Sequence, residues 1–308
     1  MTTLRLGTRG SHLAVTQSSH IADRLRAETG AEVELVTIST LGDRSSAPLS
    51  AFGGQGVFVA AVRDALASGE VDLAVHSLKD IPTYADPRLT LAAIPLREDP
   101  RDALVARDGL TLAELPAGSL VGTGSPRRVS QLNALGLGLQ TTGLRGNVDT
   151  RIGKVTSGEL AGVVLARAGL ARLGRTDEIT ESLDPIQMLP APGQGALACE
   201  CRADDADTHR LLSVLDDPGT RAAVAAERSL LATLEAGCSA PVGALAEIVN
   251  EGEELWLRAV VGDISGSPSI RLSASGPPSE AVAIGERLAA EMLAQGADRL
   301  VQASTPAP

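Results

Sequence analysis

Along the first ninety residues, short apolar runs alternate with stretches of helical period. TLRLGT (3–8), EVELVTIS (32–39) and VDLAVHS (71–77) read as strands, rich in Val, Leu and Thr and bounded by polar turns. Between them, the stretch after Ser11 and the run VFVAAVRDALA (57–67) carry apolar residues at the spacing of an amphipathic helix. This alternation predicts a parallel α/β sheet. Residues 101–190 repeat it, with strands near 103–106, 119–122 and 161–166 and helices after Ser125 and Asn147, which predicts a second α/β domain. Beyond PAPGQGALACECR (190–202) come helical patterns at 204–216 and 218–237. Strand-like runs at 242–249, 254–262 and 269–275 and a helix from Ser279 then predict a smaller α+β domain, and the tail ASTPAP reads as disordered. The fold class is α/β, with two α/β domains and a smaller C-terminal α+β domain.

Two local echoes support a duplicated architecture: GTRGS (7–11) with GTGS (122–125), and SGEVDLAVHSL (68–78) with SGELAGVVLARAGL (157–170). Open α/β sheets bind ligands outside the carboxyl ends of their strands, so like turns at like places point to a shared cleft. The connection GDRSSAPLSAFGGQG (42–56) has no periodicity, and its length suggests a mobile lid.

Composition narrows the function. A formal charge of -11 argues against a nucleic-acid partner, which needs a basic surface. The start MTTLRLGTRGSHLAV does not read as a signal peptide, and no run approaches the ~20 apolar residues of a membrane span, so a cytoplasmic protein is expected. Cys199, Cys201 and Cys238 show no framework spacing; no disulfide and no metal site is expected. Of the 27 basic residues, only Lys79 and Lys154 are lysines, so a lysine at 79 invites a specific reason.

The arginines cluster at strand ends and helix starts. In GTGSPRR, Ser125 occupies an N-cap position and Pro126 the first helical one, leaving first-turn N–H groups free for an anion. Arg127 and Arg128 lie in that turn, where the helix dipole disfavours cations unless an anion is present. Arg9 with Ser11 repeats the arrangement; Arg145 and Arg151 flank a helix start at Asn147, and Arg172 follows the strand at 161–166. Guanidinium groups match carboxylates bidentately, so the cluster suggests a polyanionic substrate, although any one arginine also reads as a structural ion pair. VDLAVHSLKD ends a strand with Ser77, Lys79 and Asp80. Such a carboxylate stabilises a developing cation or passes a proton; a salt bridge anchoring the lid is the alternative. His76 reads as a core residue. Cys238, past a helix C-terminus, has a setting that raises rather than lowers a thiol pKa, so an inert thiol and a permanent anchor both fit.

Taken together, GTRGSHLA, VHSLKDIP, REDPRDAL, GTGSPRR, LRGNVDTR, LARAGLARLG, PGQGA and LEAGCSAPVG resemble the porphobilinogen deaminase (hydroxymethylbilane synthase) family, in order from about residue 4 to beyond 260. The resemblance implies three domains, the first two like periplasmic binding proteins, here 1–97 with 194–215, 98–193 and 216–304. It implies a transferase that joins four porphobilinogen molecules head to tail with loss of ammonia in tetrapyrrole (haem) synthesis, acting as a monomer. A dipyrromethane cofactor is then expected on Cys238 through a thioether. Asp80 matches the catalytic aspartate; Ser77, Lys79, Thr123, Ser125, Arg127, Arg128 and Arg151 match cofactor-binding positions, with Asp80 among them. Arg9, Ser11, Gln17, Arg145 and Arg172 match substrate-binding ones. In the lid, Phe58 is kept, while Ala51 and Gln55 stand where many relatives carry basic residues. A non-enzymatic anion-binding protein of the same two-lobed build is the alternative; it explains the arginines but not Asp80 or Cys238.

Overall fold

The computed structural model describes residues 3–39, 59–237 and 240–303. Cys238, Phe58 and the expected lid with Ala51 and Gln55 lie outside the described residues, as does the tail from residue 304. The chain forms two compact units, one of residues 1–98 with 196–221 and the other of 99–195 with 222–308.

The first unit is built on β1 (Leu4–Arg9), β2 (Val33–Ile38), β3 (Leu73–Ser77), β4 (Leu89–Ala93) and, from far along the chain, β10 (Leu197–Arg202). Their order is β2-β1-β3-β10-β4. Strand β1 runs parallel to β2 and β3, but β10 is antiparallel to both β3 and β4, so the expected parallel sheet is in fact mixed. Helix α1 (His12–Thr29) buries Ile21 and Leu25 against Leu6, Leu73 and Cys199, α2 (Ala60–Ala67) buries Val62 and Leu66 with Val71 and Ala74, and α6 (Ala206–Ser213), after β10, adds Leu212 to the first of these clusters. With both faces covered, the central strands carry apolar residues almost without interruption.

The second unit repeats the plan with β5 (Asp102–Ala106), β6 (Leu120–Gly122), β7 (Gln140–Thr142), β8 (Gly162–Ala166) and β9 (Glu181–Ser182) in the order β7-β6-β8-β5-β9. Here too β6 is parallel to β7 and β8, and one reversed strand, β5, lies between β8 and β9. The echo read from the sequence is thus an echo of topology. Helices α3 (Pro126–Ala134), α4 (Val148–Thr156) and α5 (Arg167–Arg172) follow β6, β7 and β8. The same unit holds an antiparallel sheet of β11 (Val242–Val249), β12 (Glu254–Gly262) and β13 (Ser269–Gly276). It packs Leu257 and Ala259 against Ala226 and Leu230 of α7 (Pro218–Thr233) and Ile284 and Leu288 of α8 (Ala281–Ala294).

Candidate active site

In the first unit, parallel pairing of β1 with β3 brings their carboxyl ends to one edge of the sheet, Arg9 on one strand and Ser77 on the other. Ser11 caps α1, its Oγ accepting from the Ala14 N–H at 3.3 Å, so the helix begins immediately after Arg9. One helical turn later, buried Gln17 donates from Nε2 to Ser77 Oγ at 3.3 Å, tying the two strand ends together. Residues 78–80 then form a single tight turn; Leu78 is buried, its N–H bonded to the Ala196 carbonyl, while Lys79 is half-buried and Asp80 open to solvent at its surface. Protein still surrounds Asp80 densely enough that desolvation pushes its carboxyl above the ordinary range, against the opposing pull of Lys79 and Arg9. A carboxylate so placed holds a proton more readily than a surface aspartate.

Beneath this turn lies a buried cluster. Glu200 Oε2 of β10 stands 3.2 Å from Arg63 Nε and 3.5 Å from His76 Nε2. The carboxylate would favour a charged imidazole, but it already faces Arg63. Burial, with the charges of Arg63 and Arg9, drives the His76 pKa down to about 3 and keeps the ring neutral. His76 is the core histidine expected of it. Cys199 and Cys201 are likewise buried on β10, their thiols pushed by burial up to about 12 and about 11.

In the second unit, β6 ends at a turn in which Thr123 Oγ1 accepts from the Ser125 N–H at 3.3 Å. Ser125 is the N-cap residue of α3, as expected, but its side chain makes no capping bond. Arg127 and Arg128, in the first turn of that helix, are only 3% and 6% exposed. They converge on a residue the sequence reading passed over, Asp102, which is 0% exposed. Arg127 Nη1 donates to Asp102 Oδ2 at 2.7 Å, while Arg128 donates to Oδ1 from Nε at 3.1 Å and Nη2 at 2.7 Å. Burial pushes the Asp102 carboxyl up, and the two arginine charges with their hydrogen bonds more than reverse this, holding it well below the usual range. Asp102 was legible only as a charge at the first position of an apolar run, ALVA; nothing in that pattern says which cations it meets.

The other arginines of this unit sit around neighbouring turns. Asn147 Oδ1 caps α4 by accepting from the Thr150 N–H at 2.8 Å, and Arg151 in its first turn donates from Nε to the Gly146 carbonyl at 2.8 Å. Burial lowers the Arg151 pKa, and the nearby charges of Arg128 and Arg145 lower it further. Arg145 is exposed; Arg172 donates from Nη2 to the Gly195 carbonyl at 2.6 Å. Arg127 Nε is buried without a hydrogen-bond partner among the described residues, at a helix start shared with Arg128, a setting that fits a bound group carrying carboxylates.

Comparison with known proteins gives that polyanion a context. The family model described as porphobilinogen deaminase, dipyromethane cofactor binding domain, matches residues 4–210, and the porphobilinogen deaminase C-terminal domain matches 221–294. The chain is 60% identical to porphobilinogen deaminase of Mycobacterium marinum over 305 residues, covering 97% of this chain and 96% of that one. It is also 60% identical to porphobilinogen deaminase 1 of Streptomyces avermitilis over 314 residues, covering 97% of each. Among solved structures, a periplasmic substrate-binding protein of an ABC transporter from Coxiella burnetii aligns with TM-score 0.44 and 15% identity over 73% of this chain and 96% of that one. Immunogenic lipoprotein A from Vibrio vulnificus gives 0.41 and 11% over 69% and 94%. Both structural likenesses are slight and bear no weight here, whereas the sequence matches run through every turn described above: the chain belongs to the porphobilinogen deaminase family.

Proposed function

We propose that Asp80 is the catalytic carboxylate of this enzyme and that Cys238 anchors its dipyrromethane cofactor through a thioether. As a member of its family the chain is a transferase that polymerises porphobilinogen to hydroxymethylbilane in tetrapyrrole biosynthesis. The observation that carries the assignment of Asp80 is its place in the turn that ends β3, next to Lys79 and at the sheet edge where β1 ends in Arg9.

When porphobilinogen loses ammonia from its aminomethyl group, the broken C–N bond leaves positive charge on the pyrrole. Ionised Asp80 stabilises that charge, and its raised proton affinity suits it to hold the proton released at the pyrrole. Gln17 and Ser77 fix the turn that presents Asp80, and Arg9, with Ser11 at the neighbouring helix start, is assigned to a substrate carboxylate. In the second unit, Thr123, Ser125, Arg127, Arg128 and Arg151 are assigned to the cofactor, with Ser77 and Lys79 from the first; Arg145 and Arg172 are assigned to substrate. The acetate and propionate arms of each pyrrole give these guanidinium groups carboxylates to bind. Bound dipyrromethane supplies the primer to which substrate units are joined. The division into 1–97 with 194–215, 98–193 and 216–304 belongs to the same reading. Three sheets, with separate apolar clusters, and the separate family match over 221–294 support it. Monomeric action in the cytoplasm completes the proposal; among the described residues no helix is long and apolar enough to cross a membrane.

Intact-protein mass spectrometry tests the anchor. The purified enzyme is expected to carry two pyrrole units that disappear in Cys238→Ser, and one equivalent of porphobilinogen is expected to add a further unit while the adduct persists. An active protein of unmodified polypeptide mass would refute it.

A further inference from the structure

We infer that Asp102 is a positioning residue: braced by Gln194, it fixes Arg127 and Arg128 in the orientation that receives the carboxylates of the cofactor. The inference rests on the assignment of those arginines under Proposed function, and goes beyond it by naming the residue that aims them.

Direction of the strand puts Asp102 where it is needed. Because β5 runs against β8, its first residue lies beside the last residue of β8: Asp102 pairs with Ala166. A reversed strand thus delivers a carboxylate from its amino end to the edge where the parallel strands finish and α3 begins. At that point each oxygen of Asp102 is committed. Oδ2 takes Arg127 Nη1; Oδ1 takes Arg128 through two nitrogens and also accepts from Gln194 Nε2 at 2.9 Å. Each arginine is pinned a second time by a carbonyl, Arg127 Nη1 to Leu189 at 2.6 Å and Arg128 Nη1 to Val164 at 2.8 Å. Both Nη1 bonds of Arg127 thus point to protein, leaving its Nε and Nη2 edge, the pair that matches a carboxylate, for another partner.

Gln194 is itself held. It stands in the PGQG turn between Gly193 and Gly195, whose φ of 73° and 88° suit glycine, and its Nε2 also donates to the Pro100 carbonyl at 2.7 Å. The Gly193 N–H donates to Glu227 Oε2 at 2.6 Å, and Glu227 Oε1 accepts from Ala246 N–H of β11 at 2.9 Å. Backbone of β11, α7, the PGQG turn, Asp102 and the two arginines form one buried polar chain within the second unit, with its polar groups at fixed positions.

Two roles for Asp102 make opposite forecasts. Were it present only to lower the positive charge, Asp102→Asn would leave the site more cationic and strengthen its hold on carboxylates. As a positioning residue it cannot be replaced by Asn. The amide oxygen serves one arginine, its NH2 faces the other donor to donor, and at zero exposure no water relieves the clash.

The test uses the full chain, produced in cells that make no porphobilinogen and then incubated with graded porphobilinogen, with adduct formation followed by intact mass. Asp102→Asn is expected to raise the half-saturating concentration for adduct formation about 10-fold or more with the final modified fraction retained. Gln194→Met is expected to raise it less. A merely structural defect would instead lower the final fraction at an unchanged half-saturating concentration, and that result, or tighter binding, overturns the inference. Should Asp102→Asn fail to fold, Gln194→Met decides: a raised value supports the inference and an unchanged one overturns it. Wild-type protein that gains no adduct would overturn the cofactor assignment and this inference with it, whereas a modified wild type with indifferent variants overturns this inference alone.

Discussion

Two titratable residues four positions apart, His76 and Asp80, are both perturbed by burial, with opposite consequences. For Asp80, desolvation raises the carboxyl, so the ionised form is gained only at a pH above the ordinary aspartate range. If that form stabilises the pyrrole cation, kcat/KM rises with pH through the raised pKa. Asp80→Asn is expected to remove this acid limb and lower kcat by about 100-fold or more while the cofactor adduct persists, as steady-state rates across pH with parallel mass spectra would show. Near-normal turnover would reduce Asp80 to a structural neighbour of Lys79. For His76 the folded pKa is about 3, below the ordinary 6.5. The unfolded chain therefore binds a proton that the folded chain refuses, and stability is full above pH 6.5 and lost as pH falls toward 3. One such group gives a slope of about 1.4 kcal/mol per pH unit. In denaturant titrations between pH 6.5 and 5, His76→Gln is expected to flatten the dependence by about that much; an unaltered slope would contradict a buried neutral imidazole.

Among the elements, the strand-end turns are where packing and chemistry meet. A Cβ on Gly124 would stand 2.7 Å from the Leu144 carbonyl oxygen, and because that oxygen belongs to backbone it cannot rotate aside. Gly124→Ala is expected to force apart the turns carrying Thr123, Ser125 and Arg145, costing about 1–3 kcal/mol in urea denaturation and lowering the fraction of protein carrying cofactor. Unchanged stability would show that the turns have room. The same turns explain what the sequence could disclose. β11 and β12 occupy the very ranges read from their patterns, because apolar runs rich in Val, Leu and Ala are bounded there by the polar turn at 250–253 and by Asp263. β7 and β9, of three residues and two, are too short to carry a period, and Gln140 and Glu181 disguise them. The capping residues Ser11 and Asn147 announced their helices through local chemistry, whereas Asp102 meets arginines 25 and 26 residues away and left no local signal.

For the molecule as a whole, the two α/β sheets share a single strand order with one reversed strand each, and that reversal was hidden in the sequence. Hydrophobic pattern records which face of a strand is buried, not which way the strand runs; the run LACEC of β10, buried on both faces, fits either direction. Duplication was visible only in two short echoes, the GTRGS and GTGS turns and the runs at 68–78 and 157–170, since topology is kept by packing while side chains drift. The sheets differ in the origin of the reversed strand. The second draws all five of its strands from residues 102–182, but the first waits for Leu197–Arg202, more than a hundred residues after β4. During synthesis on the ribosome, the first sheet to emerge is therefore the second to be completed. Residues 1–98 leave the exit tunnel with an open place between β3 and β4, and the second α/β sheet has every strand it needs before the first receives its last.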